Sequence, residues 1–549
     1  MLIRSNNFLK TLVLVFYLVY LILGLLIHKD FGITTDEEFQ RYSGFYWLQY
    51  ILNFTPFENL KYLVSEKLLA IDGFTLPNPK DFPFYGVIFD APLALLETLL
   101  KIEDSQSYFY LRHKINFIIF FVSSVYLYKL LKNRFGENYL IILGVLLYIF
   151  SPRIFGDSFF NNKDIIFLSL VTISIYYYFN LVDNFNYKNI ILFGIIGAIA
   201  TSARVIGIFL PISYILIKLF ETLDKKINFE FWLKIVVLLI TYFVVLTMLW
   251  PYLWSNPLTN FVNAFLIFSN YIIDINFLFN GDYISSKNLP LIYLPLWILI
   301  SNPVFTIIFF LFGYILLFQK FLKNLFKIER GGNIWNSEDE EKDFFIFINF
   351  TLIFSYLILS NAVLYNGWRQ IYFLHIFITY FAFYGIKSIF FYFKVLQKFK
   401  NYVSFIFFLT ITLSILKIYQ LHPFQSFYFN SLVSKKNIHN KFEIDYWGLS
   451  GKNFFERLIK LQKKDEKVKI AVASWIPLER SIAILSVEDR KKIQTFGQDY
   501  FKADYIFLNN TSEVNKKYDN KYSIPKNFNK FDELVVNKTL IYEIFKKVD

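Results

Sequence analysis

The sequence predicts an α-helical polytopic membrane protein of about eleven spans, with a large first outer loop and a small C-terminal α/β domain. Three observations lead to this fold class. Of the 549 residues, 56% are hydrophobic and only 18% are charged, whereas soluble domains contain about 25% charged residues. Apolar runs of membrane-spanning length recur along the chain. After residue 420 the composition turns polar, with 23 Lys and Arg against 16 Asp and Glu.

Apolar runs define the spans, because a bilayer core of about 30 Å requires about 20 apolar residues in a helix. Eleven runs are found, at 8–28, 112–132, 138–151, 164–182, 189–203, 205–220, 231–250, 290–319, 343–362, 370–391 and 402–420. The first run lacks a small-residue cleavage site and is therefore interpreted as an uncleaved signal-anchor. The pair 189–203 and 205–220 is short, and an alternative in which it forms one span places every later loop on the opposite side.

The distribution of Lys and Arg orients these spans. With the N-terminus in the cytoplasm, basic residues fall in the cytoplasmic connections, as the positive-inside rule requires. They are Lys129, Lys132, Arg134, Lys188, Lys225, Lys226, Lys320, Lys323, Lys327, Arg330, Lys394, Lys398 and Lys400. Much of the formal net charge of +13 thus orients loops, and the dispersed lysines of the tail form no basic stripe, which argues against a nucleic-acid partner.

The chain divides into a transmembrane region, 1–420, and an outer soluble region, 421–549. Within the first, residues 29–111 form the large first outer loop, whose mixed apolar and polar stretches predict helices lying at the membrane interface. Within the second, alternating apolar residues in "KVKIAVAS" and "ADYIFLNN" predict strands separated by helices. We therefore expect a small α/β domain on the outer face.

Ionisable residues at the outer ends of the spans are the candidate functional groups, because charges at membrane depth are costly. Asp36 and Glu37 follow the first span. The functional interpretation is that this acidic pair supplies a general base, and the alternative is that Asp36 only caps an interfacial helix. The outer cations suit a phosphate, although a single Arg at a span end is more often a lipid anchor. These outer residues are Arg153, Lys163, Asp164, Arg204 and Arg369.

Aromatic residues at the outer face have two interpretations. Trp250, Tyr252 and Trp254 in "WPYLW", and Tyr365 in "YNGWRQIYF", are typical of an interfacial belt, and the alternative is that their rings stack on a sugar. The sequence shows no motif for a metal site or a phosphate loop. The five histidines have no paired spacing, and the chain has no cysteine and no glycine-rich phosphate loop. A zinc hydrolase and an ATP-driven pump are therefore disfavoured.

These motifs resemble the GT-C glycosyltransferases that use polyprenyl-phosphate sugars. Within them the chain is most similar to the protein O-mannosyltransferase superfamily, which includes the bacterial lipid A aminoarabinose transferases. The resemblance covers about residues 8–420 and rests on "TTDEEF", "SPRIFGDSFFNNKDIIF", "WPYLW" and "YNGWRQIYF", and "HPFQSFYFNSLV" with "FEIDYWG" resembles bacterial members. The chain has "FYGVIFDAPL" where aminoarabinose transferases carry Lys-Pro-Pro, and Gln370 where many relatives have His.

The resemblance implies a role for each matching residue. Asp36 is expected to be the catalytic carboxylate with Glu37 shaping the site, Lys163 and Asp164 match a second outer loop, and Arg204 and Arg369 match arginines that contact the lipid phosphate. The implied reaction is a single inverting displacement from a polyprenyl-phosphate-linked sugar to a protein, lipid or glycan acceptor. A divalent metal ion is the one cofactor left open.

The implied location is the bacterial inner membrane, in contact with membrane lipids, with the catalytic face and the C-terminal domain in the periplasm. Two alternatives remain. An outer-leaflet polysaccharide polymerase or ligase also uses lipid-linked sugars and outer arginines. A secondary transporter has a similar number of spans, but its polar residues lie near the bilayer midplane and often accompany inverted repeats.

Overall fold

The computed structural model describes residues 2–71, 76–137, 139–222, 229–269, 273–328, 335–391, 400–434, 436, 438–461, 467–511 and 520–548. The fold is mostly helical, with a small sheet near the C-terminus. Five cations of the predicted cytoplasmic connections lie outside the described residues: Lys225, Lys226, Arg330, Lys394 and Lys398.

Eight helices in the described residues are long and apolar enough to cross a membrane. They are Phe8–Ile27, Ser105–Phe135, Asp164–Asp183, Phe229–Leu249, Val304–Phe326, Glu338–Leu359, Arg369–Phe391 and Asn401–Leu421. Each coincides with one predicted run, although Pro303 separates a short helix, Tyr293–Ser301, from the long one that follows. Hydropathy therefore located these spans correctly, because their apolar length is a local property of the sequence.

The other three predicted runs are also helical, but in the described residues their helices are shorter than the eight long ones or belong to a bent pair. The run 138–151 is helix Leu140–Ile149, which bends by 61° into helix Pro152–Phe160. Proline at a helix start lacks the N–H that would continue the preceding helix. The runs 189–203 and 205–220 are the shorter helices Tyr187–Ala203 and Phe209–Thr222. With the bent pair as one span, the described residues contain nine.

The first outer loop is largely helical where it is described. Helices Glu37–Leu52, Glu58–Leu69 and Asp90–Leu99 pack around a small core that contains Trp47, Val64 and Ala94. A further outer helix, Pro257–Ser269, and the hairpin of β1 (Asn276–Phe279) and β2 (Asp282–Ser285) lie in the connection after residue 249. These segments pack over the end of the helical bundle at which Asp36 lies.

The C-terminal region contains helix Gly451–Leu461 and a five-stranded sheet. Its strands are β3 (Val468–Val472), β4 (Ile493–Thr495), β5 (Tyr505–Leu508), β6 (Phe528–Val536) and β7 (Thr539–Lys547), in the order β4-β3-β5-β7-β6. Strands β3, β4 and β5 are parallel, and β7 pairs antiparallel with β5 and β6. The strands predicted in "KVKIAVAS" and "ADYIFLNN" are β3 and β5, so both predicted strands are confirmed.

A buried ionic network joins several helices at the end of the bundle opposite to Asp36. Asp343 near the start of helix Glu338–Leu359 is fully buried and accepts hydrogen bonds from Arg134 Nε at 2.8 Å and Nη2 at 2.6 Å. Tyr380 Oη donates to the same carboxylate at 2.7 Å, and Lys342 pairs with Asp183. Paired donors on a buried carboxylate offset the cost of its dehydration.

Replacing Asp343 by Ala is expected to destabilise the fold by about 3–5 kcal/mol, because the buried Arg134 guanidinium would lose the buried one of its two carboxylate partners. Asp339 provides a matched control, since it lies one turn earlier and pairs with the same Arg134, but is half exposed. Its replacement should cost about 0–1 kcal/mol. Thermal unfolding of the detergent-solubilised variants measures both effects, and equal melting temperatures for the two variants would contradict this role of Asp343.

Candidate active site

A cavity of about 350 Å³ lies where helix Asp164–Asp183 begins and helix Glu338–Leu359 ends. Much of its wall is apolar or aromatic, with Phe39, Phe82, Tyr85, Val205, Ile206, Phe268, Leu357, Ile371 and Phe373 among its lining residues. Into this wall are set one acid, Asp36, and three cations, Lys163, Arg204 and Arg369. A mostly apolar cavity with a few convergent charged groups is typical of a ligand site.

Asp36 lies immediately before helix Glu37–Leu52 and lines the cavity. It occupies the N-cap position, but its side chain makes no capping hydrogen bond. Its Oδ2 instead accepts a hydrogen bond of 3.0 Å from Arg369 Nη2, and the side chain is 38% exposed. The structure therefore does not support the interpretation of Asp36 as a simple helix cap, and leaves its carboxylate accessible to a ligand.

Arg369 connects the acidic groups of the site. Its Nη1 lies 3.4 Å from Asp164 Oδ2, and its guanidinium lies 3.2 Å from the centroid of the Trp447 ring. Asp164 is fully buried behind the cavity and also receives a hydrogen bond of 3.0 Å from Asn161 Nδ2. Gly367, with a φ of +84°, makes the turn that brings Arg369 to this position. One arginine thus bridges Asp36 and Asp164.

Arg204 approaches the same carboxylate from another helix. Its backbone is extended (φ −146°, ψ 127°), which ends helix Tyr187–Ala203 and directs the residue to the cavity, and its guanidinium pairs with Asp164. The Nε atoms of Arg204 and Arg369 are buried, and neither has a hydrogen-bond partner within the part of the chain that the structure describes. Buried donors normally find an acceptor, so both arginines have donor capacity left for an anion.

Lys163 supplies the third cation, immediately before helix Asp164–Asp183. Its Nζ lies 4.0 Å from the centroid of the Tyr85 ring, in the first outer loop. Burial lowers the pKa of the Lys163 ammonium to about 8, because loss of hydration disfavours the charged form, and the neighbouring Asp90 carboxylate opposes this effect. The ammonium is therefore cationic at neutral pH and close to its titration range.

Several predicted residues lie away from the cavity. Glu37 is 1% exposed, accepts hydrogen bonds from Thr34 N at 2.7 Å and lies 3.0 Å from His113 Nε2. Arg153 is buried and donates to the Tyr428 carbonyl at 2.8 Å. Both side chains thus have partners in the protein interior. Among the predicted aromatic residues, Tyr365 alone lines the cavity.

The "WPYLW" aromatics pack against the outer helices. Trp250 is buried in a cluster with Phe84 and Leu253. Trp254 Nε1 donates to the Thr247 carbonyl at 2.8 Å, and its ring contacts Tyr50 and Phe54. The Tyr252 carbonyl accepts a hydrogen bond from Asn260 Nδ2 at 2.7 Å. These contacts fix the outer helices to the end of helix Phe229–Leu249.

Sequence reasoning missed three aromatic residues from the C-terminal region that line the cavity: Tyr446, Trp447 and Trp475. Thr35 N donates to the Trp447 carbonyl at 3.1 Å, which ties this region to the loop that carries Asp36. The string "FEIDYWG" contains the first two residues and was noted only for its resemblance to bacterial proteins. Trp475 follows β3 and carries no local signal.

The described residues do not fit a divalent metal ion. In the described ranges no group of three or more His, Cys, Asp or Glu side chains is placed to hold one. Asp36 and Asp164, the carboxylates that pair with the arginines of the site, are both engaged by Arg369. The positive charge of the site is that of Lys163, Arg204 and Arg369.

Two solved structures align with the chain. The oligosaccharyltransferase of Archaeoglobus fulgidus in its apo form aligns with a TM-score of 0.45 and 11% identity over 89% of this chain, which spans 65% of the length of that protein. ArnT from Cupriavidus metallidurans, bound to undecaprenyl phosphate, aligns with a TM-score of 0.44 and 11% identity over 97% of both chains.

Residues 97–251 match the family model described as dolichyl-phosphate-mannose-protein mannosyltransferase. This segment includes Lys163, Asp164 and Arg204, and it ends before Arg369. No curated protein sequence matches the chain. The family match confirms, over residues 97–251, the resemblance to the protein O-mannosyltransferase superfamily of GT-C glycosyltransferases that the sequence motifs predict.

Proposed function

We propose that this membrane protein is a glycosyltransferase that moves a sugar from a polyprenyl-phosphate donor to an acceptor on the outer, periplasmic face of the bacterial inner membrane. The observation that carries the proposal is the presence of Asp36, Lys163, Arg204 and Arg369 in one largely apolar cavity. A carboxylate beside three cations suits a reaction in which a proton is removed at one atom and a phosphate leaves at another.

The donor phosphate binds to the cations in this mechanism. Arg204 and Arg369 each retain a buried Nε donor, and a guanidinium offers the planar fork that matches phosphate oxygens. Lys163 adds a point charge from the start of helix Asp164–Asp183. Because the cavity wall also contains Val205, Ile206 and Leu357, the first isoprenoid units can lie against apolar side chains while the rest of the chain stays in lipid.

The reaction is a single displacement at the sugar C1. The acceptor O–H or N–H attacks C1, its proton passes to Asp36, and the bond between C1 and the phosphate oxygen breaks with its electron pair on that oxygen. The three cations stabilise the charge that develops on the departing polyprenyl phosphate. Since bond formation and bond breaking occur on opposite faces of C1, the configuration inverts. No general acid is required, because the phosphate is already a good leaving group.

Lys163 should make phosphate binding sensitive to pH. Its ammonium is charged below its pKa of about 8 and neutral above it, so we expect polyprenyl phosphate to bind more weakly as the pH rises through this value. A charged hydrogen bond is worth about 1.5–3 kcal/mol, so the expected loss is about tenfold or more. Titration of the purified protein with polyprenyl phosphate across this range measures it. Lys163→Arg should remove the dependence, because arginine stays protonated, and an identical profile in that variant would contradict the assignment.

The proposed function is tested by donor turnover. The purified chain in detergent is incubated with sugars linked to polyprenyl phosphate and, in parallel, with the same sugars as nucleotide diphosphates. Release of polyprenyl phosphate together with transfer of the sugar supports the proposal. Turnover of the nucleotide sugars alone, or transport of the lipid-linked sugars in liposomes without cleavage at C1, would refute it.

A further inference from the structure

We propose that the C-terminal region supplies the acceptor side of the site and that the acceptor is a carbohydrate, held on an aromatic platform formed by Tyr446, Trp447 and Trp475. This inference rests on the proposed glycosyl transfer, since it names the acceptor that enters the same cavity. All three residues line the cavity. The Tyr446 ring lies 4.6 Å from the ring of Trp447 and 5.6 Å from that of Trp475, centroid to centroid.

The contacts connect the aromatic platform to Asp36 through Arg369, whereas Arg204 contacts Asp164. The Arg369 guanidinium covers Trp447 at 3.2 Å and reaches Asp36 at 3.0 Å and Asp164 at 3.4 Å. Because the leaving phosphate binds to the cations, an in-line displacement requires the nucleophile to approach C1 from the opposite side. That side is assigned to the platform, because Arg369 covers Trp447 and also pairs with the carboxylate that receives the proton.

The chemistry of the platform fits a sugar. Aromatic faces carry negative charge, and the C–H groups on one face of a pyranose ring carry a small positive charge, so the two surfaces attract each other. The amide side chains of Gln40 and Gln370 also line the cavity and can bind hydroxyl groups at the edge of the sugar. An aromatic surface with amides beside it can contact the face of a hydroxylated ring and bind the hydroxyl groups at its edge at the same time.

The platform is held in place by the sheet and by the first outer loop. Trp475 lies just after the carboxyl end of β3, and its N–H donates to the Thr511 carbonyl, after β5, at 3.2 Å. Arg480 Nη1 donates to the Thr35 carbonyl at 2.5 Å. β3 and β5 are parallel neighbours, so Trp475 lies at the carboxyl ends of these strands. In open α/β sheets, ligands bind at the carboxyl ends of the parallel strands. This topology supports a binding role independently of the aromatic composition.

Trp475→Ala tests the proposal, because Trp475 belongs to the platform and does not hold Arg369. The probes are hexose and N-acetylhexosamine disaccharides and, for comparison, a peptide rich in Ser and Thr. Saturation-transfer NMR on the purified full chain measures their binding. We expect disaccharide binding to the parent, a loss of about tenfold in Trp475→Ala, and recovery in Trp475→Phe, which restores an aromatic face. Phe501→Ala, at an exposed aromatic residue of the same region, should bind as the parent does.

Absence of disaccharide binding, or equal binding by Trp475→Ala, would overturn the carbohydrate assignment, and binding of the peptide that depends on Trp475 would assign the platform to a polypeptide. Release of polyprenyl phosphate into water, without acceptor, separates this proposal from the proposed function. Trp475→Ala should lower transfer to the disaccharide far more than it lowers that release. A parallel fall in both would assign the platform to the donor. No release by the parent would refute the glycosyl transfer itself, whatever the disaccharides do.

Discussion

Replacing Asp36 by Asn should lower the rate constant of sugar transfer by about 10²–10⁴ while the donor still binds. An amide has nearly the same shape as the carboxylate but cannot take the acceptor proton. Binding of the donor should persist, because the cations of the site remain and Arg369 is released from the ion pair of 3.0 Å that it makes with Asp36. Steady-state transfer and binding of polyprenyl phosphate separate the two effects.

Asp30→Asn is the matched control for this variant. Asp30 belongs to the same outer segment, is half exposed and pairs with His422 at 2.8 Å, outside the cavity lining. Its replacement should leave transfer close to that of the parent. If Asp30→Asn and Asp36→Asn reduced transfer equally, the loss would reflect a general effect on the outer loop, and Asp36 would not be the base.

Replacing Arg369 by Ala should reduce kcat/KM by about 10²–10³, the loss typical when one donor to a developing oxyanion is removed. The variant would remove the partner of Asp36 and one of the three cations that face the phosphate. Arg369→Lys should recover only part of this loss, because an ammonium keeps the charge but not the planar fork. The measurement is the transfer rate as a function of donor concentration.

Arg457→Ala is the control for the arginine series. Arg457 lies in the C-terminal region, is partly exposed and pairs with Asp532 at the surface. We expect nearly unchanged kinetics in this variant. Full activity in Arg369→Ala would show that this arginine, despite its contacts with both Asp36 and Asp164, does not serve the donor phosphate.

Hydropathy and charge located much of the fold and a substantial part of the candidate site. Apolar length is local, so all eight long helices coincide with predicted runs. The presence of Asp36, Lys163, Arg204 and Arg369 in one cavity follows from the alternation of spans, which assigns their loops to one face. The predicted run 138–151 ends at the break before Pro152, but the helix Pro152–Phe160, which continues from it after a bend of 61°, was not predicted, because Arg153, Asp157 and Ser158 interrupt the apolar pattern.

The sequence did not reveal which way each side chain points. That direction depends on contacts with residues far away along the chain, which composition and hydropathy do not describe. Asp36 and Glu37 are neighbours in sequence, but Glu37 turns inward to His113, which lies in the next long helix. Successive residues at a helix start point in different directions, and a partner 76 positions away decides which carboxylate is buried. The aromatic platform could not be predicted from the sequence either. Trp475 lies beside Tyr446, and Arg369 covers Trp447, only when the C-terminal sheet has formed.

The most direct test of the central claim follows the configuration of the transferred sugar. A polyprenyl-phosphate sugar labelled with ¹³C at C1 is incubated with the parent protein, and NMR records the donor and product C1 signals together. A single displacement assisted by Asp36 predicts that each donor signal lost gives a glycoside of inverted configuration, and that Asp36→Asn nearly abolishes this conversion. Retention of configuration, or conversion by Asp36→Asn at the parental rate, would contradict it.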